Sequence, residues 1–355
     1  MTRPGRDASA ASTPSRITRW GIGGVPVEPS TALTASVWAL VTIGVLGNVS
    51  MLPVSAYFKR HLNDLGFVKD WVALNEIPPL GDMAGMAAVF IAMALAIGFG
   101  FAMFHGGIPG GRISKGLAFG AALWVVGVVP FELIDIQVSK VPAMVILLLW
   151  IGLWLPVSLA IGLVVSFLYP RRTRPSGGKS AIVPGTFAQS WKGLGRKLWA
   201  GKLTIVLSAG IATAAAAVVG VPVLLLYSPM SRMPRLLRPA LVEGRYSPAL
   251  VVGVGAVVFA WALVISLFYA AVEERSPFGG AAGGAFFGAW LYAMMGLPMM
   301  LVLFPVSEFP SAVILVDLVF LPLVLHVGAG TVYGALMARV TRPGQGAVSM
   351  KGHDR

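Results

Sequence analysis

The sequence predicts an all-α integral membrane protein, with eight transmembrane helices arranged as two parallel four-helix repeats. Three observations predict it. The chain of 355 residues is 57% hydrophobic and only 12% charged, about half the ~25% charge of soluble domains, and its mean hydropathy is +0.82. A soluble fold cannot hide that much apolar surface, because a single core stops growing near ~250–300 residues. The apolar residues are gathered into eight runs, each near the ~20 residues needed to cross a bilayer. Finally, a shift of 168 residues lays Gly116–Arg171 on Gly284–Arg339 without a gap.

Taken in order, residues 1–32 are rich in Ser, Thr, Pro and Arg and read as a disordered cytoplasmic tail. Leu33–Phe58 is the first run. Its Val54-Ser55-Ala56 has the small-x-small look of a peptidase site. The apolar stretch before it is longer than the ~7–15-residue core of a signal peptide, so an uncleaved helix is expected. Asp82–His105, Gly116–Gln137 and Pro142–Tyr169 complete the first repeat, residues 33–171. A basic linker, residues 172–202, follows. In it Phe187, Trp191, Leu194 and Leu198 recur at helical spacing with Lys192, Arg196 and Lys197 between them. That pattern is expected to be an amphipathic helix lying on the inner leaflet. Leu203–Tyr227, Pro248–Val272, Gly283–Pro305 and Pro310–Val340 form the second repeat, residues 203–340, and 341–355 is a second cytoplasmic tail.

Charge placement fits this order. Most of the 27 Lys and Arg lie in the tails and the even-numbered loops. The strongest group is Arg171, Arg172, Arg174, Lys179, Lys192, Arg196, Lys197 and Lys202. Positive-inside bias then places both termini in the cytoplasm of a multi-pass plasma-membrane protein. The net charge of +13 is accounted for by topology and by anionic headgroups at the linker, at about 1 kcal/mol per basic residue near the surface. The bilayer is the expected partner; nucleic acid is not. There is no cysteine, hence no disulfide frame, thiolate metal site or cysteine nucleophile.

The repeat rests on specific residues. Phe119-Gly120-Ala121 falls on Phe287-Gly288-Ala289, Pro130 on Pro298, Val138-Ser139 on Val306-Ser307 and Pro142 on Pro310. Upstream the register drifts, with Pro53 meeting Pro222. Four helices per half is an even number, so the halves share one orientation and are related by an axis along the membrane normal.

Small residues at four-residue spacing recur in matching places: Gly116/Gly120 with Gly284/Gly288, and Gly162/Ser166 with Gly330/Gly334. Such faces let backbones approach closely. They suit packing of the third helix of each half on the fourth, and also allow a homo-oligomer or a partner membrane subunit. Pro53 and Pro222 are expected to kink matching helices.

Ionisable groups inside a bilayer are the default functional suspects. Glu132 and Asp135 lie three apart on the third helix, opposite Met300 and Leu303 of the repeat. Asp317 is opposite Leu149, and His326 opposite Ser158. These four make the candidate intramembrane polar site, a proton or cation path; the bland reading is helix-end hydration for the pair and an interhelical hydrogen bond for His326. No phosphate-binding loop and no His-Glu-x-x-His appear, nor a Gly-x-Ser-x-Gly elbow. No cofactor or metal is expected, and no motif supports an enzyme.

The stretch His326-Val-Gly328-Ala-Gly330-Thr-Val-Tyr333-Gly334, preceded by the Gly/Pro-marked hairpin Gly283–Pro310, resembles small four-helix bacterial membrane proteins of uncharacterised activity. The resemblance covers one repeat and implies a fused pair of such units, without implying any function. Two classes of function stay open: a transporter or permease for a small solute, ion or lipid, and a non-catalytic membrane scaffold or accessory subunit.

Overall fold

The computed structural model describes residues 20–22, 25–61, 80–138, 142–169, 187–227, 248–273, 276, 278–297 and 321–341. These are helical apart from turns and one short antiparallel ribbon, β1 (Trp20–Ile22) with β2 (Val25–Val27). The helices are α1 (Pro29–His61), α2 (Leu80–Phe104), α3 (Arg112–Gly127), α4 (Val129–Val138) and α5 (Ala143–Leu168) in the first half. After them come α6 (Phe187–Ala200), α7 (Lys202–Tyr227), α8 (Pro248–Val272), α9 (Gly280–Leu291) and α10 (Leu321–Thr341).

The expected disordered tail of residues 1–32 is cut short at its inner end. The ribbon occupies part of it, and α1 begins at Pro29 rather than Leu33. Proline suits that start: its fixed φ is helical and the N–H it lacks has no partner in a first turn.

Among the described residues, five segments are long and apolar enough to cross a membrane: Pro29–His61, Ala87–Phe104, Arg112–Leu133, Ala143–Leu168 and Val252–Val272. The bent pair Lys192–Ala200 and Lys202–Val218 brings the number to six. The expected runs Gly283–Pro305 and Pro310–Val340 are described only as far as α9 with its following turn and α10.

Wide π turns occupy Ile43–Gly47 in α1, Ile146–Gly152 in α5 and Tyr292–Gly296 after α9. The second ends four residues before Pro156, and α3 breaks from α4 at Val128, just before Pro130. A proline ring crowds the carbonyl four residues back and donates nothing to it; at Gly152 the widened turn moves that carbonyl aside. One freed acceptor is used at once: the Trp124 indole N–H donates to the Ile151 carbonyl at 2.8 Å. Pro222 lies inside α7, whose helical assignment runs unbroken through it.

In the N-terminal half of the chain α1 lies against α2 and α5, and α3 against α5; in the C-terminal half α7 lies against α8 and α10, and α9 against α10. The halves meet where α2 touches α9 and the turn after it, and where α4 touches α8. There Phe104 and Phe287 stand edge to face at 5.3 Å, and the Trp290 indole N–H donates to the Ala96 carbonyl at 2.9 Å. Large apolar side chains point outward instead: Val45, Leu52, Leu148, Leu203 and Val252 are each more than half exposed. Large apolar side chains exposed on several helices are what a lipid-facing bundle presents.

The linker helix α6 forms as expected. Leu198 packs against the buried core, Leu194 is half-buried, and α6 touches α8. Helical spacing alone tells that a helix has an apolar face, not what covers it.

Candidate functional site

The glycine seams place the site. A Cβ on Gly116 would sit 2.9 Å from the Gly162 carbonyl oxygen, and one on Gly284 would overlap the Gly330 carbonyl outright. In the same way Gly120 lies on the carbonyl of Ser158, Gly288 on that of His326, and Gly334 on that of Gly280. The first two pairs of contacts repeat at the 168-residue offset. His326 is therefore held in register by backbone laid on backbone, a contact only glycine permits here.

The His326 side chain is 1% exposed, and its Nδ1 is 2.7 Å from the Pro322 carbonyl. A carbonyl oxygen can only accept, so Nδ1 carries the hydrogen, and in the neutral ring Nε2 is the acceptor. The ring stands edge-on to Trp261 at 5.0 Å and 87° and lies 5.4 Å from Tyr292. Trp261 in turn meets Phe131 at 4.7 Å and 72°. Next to Phe131 is Glu132, 5% exposed. One aromatic layer thus runs from α4 through α8 to α10 and the turn after α9, crossing from the first half to the second.

Two of the four candidate residues, Glu132 and His326, are buried; His326 belongs to this layer, and Glu132 follows Phe131 in α4. Asp135 lies one turn further along α4; its side chain is outside the described residues, as is the whole of Asp317. Among the described residues there is no group of three or more His, Cys, Asp or Glu able to hold a metal.

Sequence reasoning missed Trp261. Its indole nitrogen is buried with no hydrogen-bond partner, whereas Trp124 and Trp290 both donate to carbonyls. No sequence signal marked it, because Trp261 lies upstream of the gapless Gly284–Arg339 register and its contacts come from helices distant in sequence. Ser158, the counterpart of His326, also has a buried hydroxyl without a partner. An orphan buried donor costs about 1–3 kcal/mol of desolvation. Chemically, the layer offers an imidazole nitrogen and an indole donor, and Glu132 adds a buried carboxyl group on α4.

Comparisons with protein-family models, curated proteins and solved structures find no match to this chain. What the fold defines by itself is a helical protein with at least five segments able to cross a membrane.

Proposed function

We propose that the protein is a transporter or permease whose small solute, ion or lipid passes between two four-helix halves of the same polarity. Glu132 and His326, with Asp135 and Asp317, supply the polar groups of the path. The observation that carries this reading is the burial of two ionisable groups where α4 touches α8: His326, packed on Trp261, and Glu132, the residue after the Phe131 that meets Trp261. Ionisable groups sealed inside a bilayer are costly and mark ion or proton routes. Parallel repeats commonly place such groups at their shared interface. A carboxyl and an imidazole can each take up and release a proton, and the Trp261 N–H offers a donor to a passing acceptor.

The duplication belongs to this proposal. Its support is the recurrence of the glycine seams at one offset, together with Phe101–Phe119 at 5.0 Å and Tyr269–Phe287 at 5.3 Å, which occupy equivalent positions. So does the reading as a fused pair of four-helix units with both termini in the cytoplasm, which reporter fusions at Met1 and Arg355 test: opposite faces would refute it.

The functional test is flux in proteoliposomes under a proton gradient. Glu132→Gln and His326→Asn are each expected to lower gradient-driven flux about tenfold or more. Flux that is present and unchanged in both variants removes these residues from the path. A scaffold or accessory subunit is the second reading, favoured by the backbone-on-backbone seams. It predicts no flux and a co-purifying membrane partner.

A further inference from the structure

We infer that α6 and the elbow after it form a binding site for the phosphate of an anionic phospholipid, with Lys192, Arg196 and Lys202 supplying charge and Trp199 anchoring at headgroup depth. The inference does not depend on whether the protein transports.

Four observations carry it. The chain from 170 to 202 contains basic residues and no Asp or Glu. With Leu198 turned onto the bundle core, the outward face of α6 presents Lys192, Arg196 and Trp199, all exposed, the last at 70%. At 100° per residue these three fall within about 60° of one another, roughly opposite the Leu194/Leu198 stripe. The chain then bends by 61° between Lys192–Ala200 and Lys202–Val218, passing from a surface helix into an apolar one with Leu203 68% exposed at its start. At that bend the Lys202 ammonium sits over the Trp199 ring, 3.8 Å from its centroid. A cation held on an indole at the boundary between a charged helix and an apolar span matches the layered chemistry of a lipid: phosphate above, glycerol at the ring, acyl chain along Leu203. Trp favours that depth, and charge complementarity selects an anionic headgroup over a zwitterionic one.

The test uses the full chain in phosphatidylcholine vesicles containing a minor fraction of brominated lipid, either phosphatidylglycerol or phosphatidylcholine. Trp199 emission is isolated by difference from Trp199→Phe. Quenching by brominated phosphatidylglycerol is expected to exceed that by brominated phosphatidylcholine by about threefold or more, since each basic residue near the surface is worth about fivefold in partition. Lys192→Gln/Arg196→Gln/Lys202→Gln is expected to equalise the two lipids. Arg196→Gln alone, at an exposed position, carries the same test with a smaller step should the triple variant fail to fold. Equal quenching in the wild-type chain, or a preference that survives these substitutions, overturns the proposal. Displacement of the brominated phosphatidylglycerol by inorganic phosphate would identify a soluble anion site instead, and would also overturn it.

Discussion

At Gly120 and Gly288 the two halves make the same backbone contact, a glycine laid on a carbonyl of the facing helix, yet Ser158 offers that carbonyl in one half and His326 in the other. The serine hydroxyl is buried without a partner. The histidine is bonded to Pro322 and packed against Trp261 and Tyr292. The comparison separates two kinds of constraint: small residues fix how α3 meets α5 and α9 meets α10, while the residue at the seam's edge is free to take on chemistry.

The largest effect is expected from the seams themselves. Gly116→Leu and Gly284→Leu place a side chain where a backbone carbonyl stands, and neither helix can yield without parting from its partner. Each is expected to cost about 3 kcal/mol or more, seen as loss of monodisperse protein after extraction. If one half tolerates the change and the other does not, the seams are not equivalent.

Next comes the exchange at the edge. His326→Ser empties a space lined by Trp261 and Tyr292 and removes a bond to Pro322, an expected loss of about 2–4 kcal/mol in thermal stability. Ser158→His adds volume to a closed position at about 1–3 kcal/mol. A neutral Ser158→His would mean the first half retains room for the second half's chemistry.

Smaller effects distinguish the tryptophans. Trp124→Phe and Trp290→Phe each lose a hydrogen bond and leave a carbonyl short of a donor, about 1 kcal/mol. Trp261→Phe has no such bond to lose, but at a core residue 4% exposed the smaller ring leaves a cavity, an expected cost of about 1–3 kcal/mol in thermal stability. Flux reduced at a temperature where the variant stays folded would mark the indole N–H as a contact for what is carried; unchanged flux there would remove it from the path. Smallest is Gly328→Ala on α10, where an added methyl meets nothing within 4 Å. Thermal unfolding should show no loss and a gain of up to about 1 kcal/mol from helix propensity.

Much of the fold was legible because its signals are local. Pro248–Val272 was read with the bounds the structure gives it, since a proline opens the run and acidic residues follow it. The glycine seams were legible because close approach needs small residues at a fixed spacing. The π turns were not: proline announces a disturbance in the ladder, not whether the chain answers by widening a turn, as at Ile146–Gly152, or by breaking, as at Val128. Glu132 and His326 were legible as buried ionisable residues, but the contacts of Phe131 and His326 with Trp261 span residues about 130 and 65 positions apart, and no periodicity encodes that.

Backbones pressed together have no slack. Neither α3 on α5 nor α9 on α10 can slip by a turn, because each step would drive a side chain into a main-chain oxygen. The pairs move as blocks, and any change between them works on the contacts that join them, among them the rings of Phe104 with Phe287 and Phe131 with Trp261 and the Trp290–Ala96 hydrogen bond. Altering those joints would change how the blocks meet without touching their interiors.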